Sequence, residues 1–70
     1  MTADQYRDAI ARLNLTQGAA AKLLGVDPRT SRKWALDEAP VPGSVAGWLD
    51  YLWATRNTPA FARLMKQVTN

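Results

Sequence analysis

Arg29, Arg32 and Lys33 are the residues of this chain whose type and spacing best suit contact with an anion. They stand at positions i, i+3 and i+4, so in a helix they share one face. Together with Lys22, and after subtracting the negative charge of Asp27, they account for the whole formal charge of +3. Acidic and basic residues cancel in the rest of the chain. A segment that concentrates the positive charge of a chain is suited to binding the negatively charged phosphates of a nucleic acid. The stripe therefore predicts a nucleic-acid contact, with a merely solvated helix face as the alternative.

The sequence around this stripe predicts two short helices joined by a tight turn. Thr16 has the side chain of an N-cap, and Gly25 can adopt the positive φ with which a helix commonly ends. Asp27 and Pro28 are typical of the N-cap and first position of a second helix, which we expect to span 28–37. This unit, residues 16–37, has the form of a helix-turn-helix, whose second helix enters the DNA major groove.

Similar patterns predict three more helices and no strand, giving an all-α fold of five helices. A capping box starts a helix over 2–14, a proline-containing loop occupies 37–43, and two further caps start the fourth and fifth helices. The residues that carry these predictions are Thr2 with Gln5, Asn14 as a stop, Ser44, and Thr58 with Pro59. The whole chain, 1–70, is expected to form one domain.

Apolar and small residues at helical spacing predict which faces form the core. They are Tyr6, Ala9, Ile10 and Leu13; Ala20, Ala21, Leu23 and Leu24; Ser31, Trp34 and Ala35; and Val45, Trp48, Leu49, Leu52 and Trp53. The three tryptophans could stack on bases. Their spacing instead favours core or interface positions, with Trp53 the one expected to be partly exposed.

The last segment, 58–69, carries an apolar stripe that could close the core or join two copies of the chain. Its members are Phe61, Leu64, Met65 and Val68. A chain of 70 residues builds a thin core. We therefore expect a C2 homodimer through this stripe, which would present two recognition helices about 34–36 Å apart to a palindromic operator.

Five residues of the predicted unit give it a family resemblance. Gln17, Ala21, Gly25, Val26 and Trp34 resemble the Cro/lambda-repressor-like (XRE-type) helix-turn-helix pattern. That pattern has Gln opening the second helix, Ala at the close crossing, Gly in the turn and an apolar anchor in the recognition helix. The resemblance implies a compact five-helix lambda-repressor-like domain that binds double-stranded DNA.

The chain departs from the family pattern at Ser31, where Val or Ile is usual. A buried serine in a helix can bond the carbonyl four residues earlier, which is tolerated but can bend the helix. Trp34 followed by the loop PVPGSVA also resembles small phage and plasmid regulators, including anti-CRISPR-associated autorepressors.

These patterns predict a division of roles among the candidate DNA-binding residues. Arg29 and Arg32 are expected to contact base edges, because arginine offers bidentate geometry to guanine. Lys33 is expected to contact either a base edge or a flanking phosphate. At the helix N-termini, Thr16, Gln17 and Thr30 would position the phosphate backbone. The alternative is simple capping by Thr16 and surface exposure of Gln17 and Thr30.

Composition excludes several other classes of function. The chain has no Cys and no His, which rules out disulfides, zinc fingers and the usual catalytic constellations. We expect no enzymatic activity, cofactor, metal, small-molecule ligand or membrane segment, and a cytoplasmic location. The leading prediction is a homodimeric autorepressor. The alternative is an antitoxin that also binds its own promoter, although we expect little extra segment after residue 69 to cover a toxin.

Overall fold

The computed structural model describes residues 1–69, which contain five helices and no strand. The helices are α1 (Ala3–Arg12), α2 (Gln17–Leu24), α3 (Pro28–Ala35), α4 (Gly43–Ala54) and α5 (Pro59–Thr69). The predicted all-α class and the five helices are confirmed. Asn70, which the predicted domain includes, lies outside the described residues.

Side-chain caps start the first two helices where the sequence predicts them. The backbone N–H of Gln5 donates to Thr2 Oγ1 at 3.1 Å, and the Thr2 N–H donates to Gln5 Oε1 at 2.8 Å, which completes the capping box. Thr16 Oγ1 accepts the N–H of Ala19 at 3.0 Å at the start of α2. Asn14, the predicted stop after α1, has φ 60°.

Gly25 ends α2 in the left-handed region, with φ 70°, and its N–H donates to the carbonyl of Ala21. A Cβ at this position would meet no atom within 4 Å. The requirement for glycine is therefore conformational, since left-handed backbone is costly only for residues that carry a Cβ.

The recognition candidate α3 begins as predicted and ends earlier. Asp27 Oδ1 accepts the N–H of Arg29 at 2.8 Å, and Pro28 occupies the first helical position. The helix stops at Ala35 and not at residue 37, because Leu36 leaves helical geometry and Asp37 takes φ 60°.

The expectation that Ser44 caps α4 is wrong. The N-cap is Pro42, in extended backbone at φ −61° and ψ 146°, and no side chain caps the helix. The carbonyl of Pro42 accepts the N–H groups of Val45 and Ala46, so the helix is already under way when the chain reaches Ser44. The fixed φ of proline is compatible with both the N-cap and the first helical position. The sequence pattern nevertheless favoured Ser44 over Pro42 as the N-cap, because a serine hydroxyl can accept a helix N–H.

The core gathers residues from α1, α2, α3 and α4 and from two loops. Its buried members are Tyr6, Ile10, Leu13, Leu15, Ala20, Trp34, Ala35, Val41, Leu49 and Leu52. Helix α3 packs against both α2 and α1, while α4 packs against α1 and α5 against α2. Leu15 and Val41 lie in loops, where helical periodicity gives no prediction.

The burial of Trp34 and Trp53 agrees with the prediction, and that of Trp48 does not. Trp34 is 5% exposed, as a core residue should be, and Trp53 is half-buried. Trp48, expected on the apolar inner face of α4, is 40% exposed and stacks on Tyr51 with 5.5 Å between ring centroids. The buried Leu49 and Leu52 form the inner face of α4, so Trp48 and Tyr51 lie on its outer side.

In the part of the chain that the structure describes, no helix has the length and hydropathy needed to cross a bilayer.

Candidate nucleic-acid interface

Helix α3 divides sharply into a basic outer face and a buried inner face. Arg29, Arg32 and Lys33 are all exposed. On the opposite side, Ser31 and Ala35 have no exposed surface and Trp34 is 5% exposed. The helix is therefore anchored along one face while its cations project into solvent, as the sequence predicts.

The cations of α3 form no ion pair with any other residue in 1–69. Over that range the one ion pair joins Arg7 to Asp4, on α1. Asp27, the acidic residue nearest the stripe, uses its carboxylate to cap α3 by accepting the Arg29 N–H at 2.8 Å. The side chains of Arg29, Arg32 and Lys33 thus keep their hydrogen-bonding capacity for an external anion.

The start of α2 lies against the middle of α3. Ser31 Oγ donates to the carbonyl oxygen of Gln17 in α2 at 2.9 Å, and not to the carbonyl four residues earlier. Thr16 and Gln17 are exposed and Thr30 is half-buried. The bond therefore joins the start of α2 to the buried side of α3, at a junction between the two helices.

A buried hydroxyl pair links this junction to α1. Tyr6 Oη and Ser31 Oγ lie 2.6 Å apart, and the Tyr6 ring meets Trp34 edge to face with 5.6 Å between centroids. Burial raises the pKa of the Tyr6 phenol above its ordinary value, and the bond to Ser31 offsets part of that effect. The phenol therefore stays protonated at neutral pH and can donate.

Arg7 holds the far end of α3. Its guanidinium donates to the carbonyl oxygen of Ala35, in the last turn, and also pairs with Asp4. A cation at a helix C-terminus satisfies a carbonyl that has no partner within the helix. The sequence pattern gave Arg7 no contact and placed Tyr6 only among the core residues of the first helix. The polar Ser31 on a buried face was the indication that a partner hydroxyl must exist.

The predicted dimer residues lie on the edge of the monomer core. Phe61, Leu64, Met65 and Val68 are half-buried and pack against the core cluster. Part of their apolar surface is therefore used within one chain, and part stays accessible to solvent. The dimer remains a prediction.

A shallow groove of about 390 Å³ runs between α1 and α4, away from the α3 stripe. Asp8, Arg12, Asp50 and Trp53 are among its lining residues. The guanidinium carbons of Arg12 and Arg56 lie 5.3 Å and 4.1 Å from the Trp53 ring centroid, so cation–π contacts cover part of this tryptophan.

Comparison with family models, with curated proteins and with solved structures gave no match to this chain. The assignment of a function therefore depends on the residues and their geometry.

Proposed function

We propose that this chain is a sequence-specific regulator of transcription that binds double-stranded DNA through α3. In this proposal α2, the turn at Gly25 and α3 act as a helix-turn-helix of the Cro/lambda-repressor-like type. The most economical role is a cytoplasmic autorepressor of a phage or plasmid gene, acting as a homodimer on a palindromic operator.

One observation carries the proposal. Three exposed cations project from a short helix whose other face is fully buried, and no acidic side chain of residues 1–69 pairs with them. A solvated helix face usually mixes both charge signs, which limits its own repulsion. Like charges at i, i+3 and i+4 repel each other unless an anion lies opposite them, and the DNA backbone supplies such an anion.

The cations would divide the work of binding. Arg29 belongs to the first turn of α3, and the N-terminal part of a recognition helix lies deepest in a major groove. Arg32 follows in the last turn on the same face, and the guanidinium groups of both match the O6 and N7 atoms of guanine. Lys33 contacts either a base or a flanking phosphate. Lys22, which is also exposed, contributes through the longer-range field.

Thr16, Gln17 and Thr30 would position the sugar–phosphate backbone. The first two lie at the start of α2, where helical N–H groups and the helix dipole favour a phosphate. Thr16 already uses its hydroxyl to cap α2, so its contact to phosphate would come from the backbone. Such contacts fix the register of a protein on DNA without selecting a sequence.

Selection of bound DNA from a random pool tests this proposal and requires no operator sequence to be chosen in advance. We expect a palindromic consensus whose half-sites lie about one helical turn apart, and whose affinity falls steeply with salt. Footprinting on the selected site should give protection on one face of the duplex. Failure to enrich any sequence, together with salt-insensitive or absent binding, would contradict the proposal.

A second candidate, the antitoxin of a toxin–antitoxin pair, is favoured by the exposed aromatic pair on α4. Trp48 and Tyr51, 40% and 53% exposed, offer apolar surface of the kind enriched in protein interfaces. Both candidates bind promoter DNA, so DNA binding does not separate them. Rescue of growth when this chain is co-expressed with the product of an adjacent gene that is toxic on its own would favour the antitoxin.

A further inference from the structure

The hydroxyl of Ser31 lies fully buried where three helices meet. Ser31 has no exposed surface, and its Oγ contacts both Tyr6 of α1 and the Gln17 carbonyl of α2. The residues are far apart in sequence, since Ser31 follows Tyr6 by 25 positions and Gln17 by 14. A single side chain of α3 therefore touches both neighbouring helices.

The direction of each bond follows from the number of protons available. The Gln17 carbonyl can only accept, so the one proton of the Ser31 hydroxyl goes to it. Tyr6 must then donate to Ser31 Oγ across 2.6 Å. The three groups form a directed chain from the Tyr6 phenol through Ser31 to Gln17, and no buried side-chain polar atom in residues 1–68 is left without a partner.

Helix α3 needs such external support to hold its orientation. It has 8 residues, fewer than an isolated helix needs for stability in water. The apolar contacts of Trp34 and Ala35 bury the helix but tolerate rotation and sliding, because dispersion attraction has little directional preference. Hydrogen bonds lose strength quickly when their angle changes, so the chain through Ser31 opposes both movements.

We propose that Tyr6 and Ser31 are positioning residues that set the orientation of α3 and, through it, the DNA sequence preference. The inference rests on the proposed function, because it assigns these residues a part in binding by α3. Arg7, which donates to the Ala35 carbonyl, adds a second fixed point at the C-terminal end of the same helix. Helix α1 thus acts as the support against which the basic stripe is aligned.

The test compares the wild-type chain with the double variant Tyr6→Phe/Ser31→Ala. Removing both hydroxyls together leaves no buried side-chain hydroxyl unpaired, so stability should change little. Thr55→Val is the matched control, because Thr55 Oγ1 bonds only to carbonyls of its own helix, 3 and 4 residues earlier. Two quantities are measured on each protein: the α3 orientation relative to α1, by residual dipolar couplings without DNA, and the ratio of operator to random-DNA affinity.

We expect the double variant to fold with a changed α3 orientation and an operator-to-random ratio lowered about fivefold to tenfold. The control should keep both at wild-type values. An unchanged orientation overturns the proposal, and so does a wild-type ratio despite a changed orientation. If the double variant does not fold, Tyr6→Phe alone, which leaves the Ser31 bond to Gln17 in place, must shift both quantities in the same direction.

Failure of the proposed function gives a different pattern of results. If the wild-type chain binds no DNA, the proposed function is wrong, and the dipolar couplings of the free proteins still decide whether Tyr6 and Ser31 orient α3. If the wild-type chain selects an operator while the double variant keeps its orientation and its ratio, the proposed function stands and the positioning role is wrong.

Discussion

The two halves of this molecule hold their helices by different means. In the first, α1, α2 and α3 each begin at a side-chain cap, and hydrogen bonds pass between them. Tyr6, Ser31 and the Gln17 carbonyl form one such link, and Arg7 with the Ala35 carbonyl forms another. Each helix therefore has a defined start and a defined angle to its neighbours.

The second half, α4 and α5, depends more on apolar contact. Helix α4 starts at Pro42 without a side-chain cap, whereas α5 has one, since Thr58 Oγ1 accepts the N–H of Phe61 at 3.2 Å. The side-chain hydrogen bonds of Thr55, Arg56 and Thr58 reach backbone groups 3 or 4 residues away, within the same segment. Trp48 and Tyr51 stay on the surface, although exposed aromatic pairs usually mark a contact with another molecule.

This difference suggests different tasks. Directional bonds fix the geometry of a surface, which a helix that contacts base edges requires. Apolar contact gives stability with less constraint on angle, which suits association of two chains. Under this account, substitutions in the first half change folding or DNA preference, and substitutions on the surface of the second change assembly.

The largest expected contrast is between two tryptophans, one in each half. Trp34→Ala removes a buried ring that contacts Tyr6, and should lower the free energy of unfolding by about 3–5 kcal/mol. Trp48→Ala removes a ring that is 40% exposed, and should cost less than about 1 kcal/mol. Urea unfolding followed by circular dichroism measures both, and equal costs would contradict the comparison.

Assembly gives the next effect. Phe61→Ala should raise the dissociation constant of the homodimer at least about tenfold and weaken operator binding in parallel. Sedimentation at tens of micromolar protein measures it, with Tyr51→Ala on the outer face of α4 as the matched variant. Phe61 also packs on its own core, so unfolding of the monomeric variant is measured alongside.

The opposite pattern is equally informative. Loss of the dimer in Tyr51→Ala but not in Phe61→Ala would move the interface from α5 to α4. If the wild-type chain stays monomeric with and without DNA, the predicted homodimer is wrong.

The smallest contrast compares two hydroxyl residues near helix starts. Thr16→Ala removes a cap and should cost about 1 kcal/mol of stability. Ser44→Ala should change stability by no more than about 0.5 kcal/mol, because Pro42 and not Ser44 is the N-cap of α4. A cost at Ser44 as large as that at Thr16 would show that the hydroxyl of Ser44 stabilises the start of α4.

Local sequence was sufficient to predict the features that local chemistry determines. The caps at Thr2, Thr16 and Asp27, the left-handed Gly25 and the buried face of α3 depend on residues within one or two turns, and all are confirmed. Where two nearby residues could both start a helix, as at Pro42 and Ser44, the local pattern did not discriminate.

Features that depend on distant contacts were not predictable in the same way. Which tryptophan of α4 faces outward depends on where the other helices pack. The sequence therefore predicted partial exposure for Trp53 but missed the greater exposure of Trp48. The partner of Ser31 lies 25 residues away, and the pairing of Arg7 with the Ala35 carbonyl crosses a similar distance. The basic stripe itself was predictable, because it requires only helical spacing.

Contact between the exposed stripe of α3 and DNA is best tested with the variant Arg32→Ala. Its binding to the selected operator and to random DNA is measured across a salt series. Arg63→Ala, which removes an exposed arginine of α5, is the matched control. We predict that Arg32→Ala weakens operator binding by about 1–3 kcal/mol and relaxes preference at one base pair of each half-site, while random-DNA affinity and the control change little. An equal loss on both DNAs would make Arg32 a phosphate contact, and no loss on either would contradict the proposed contact.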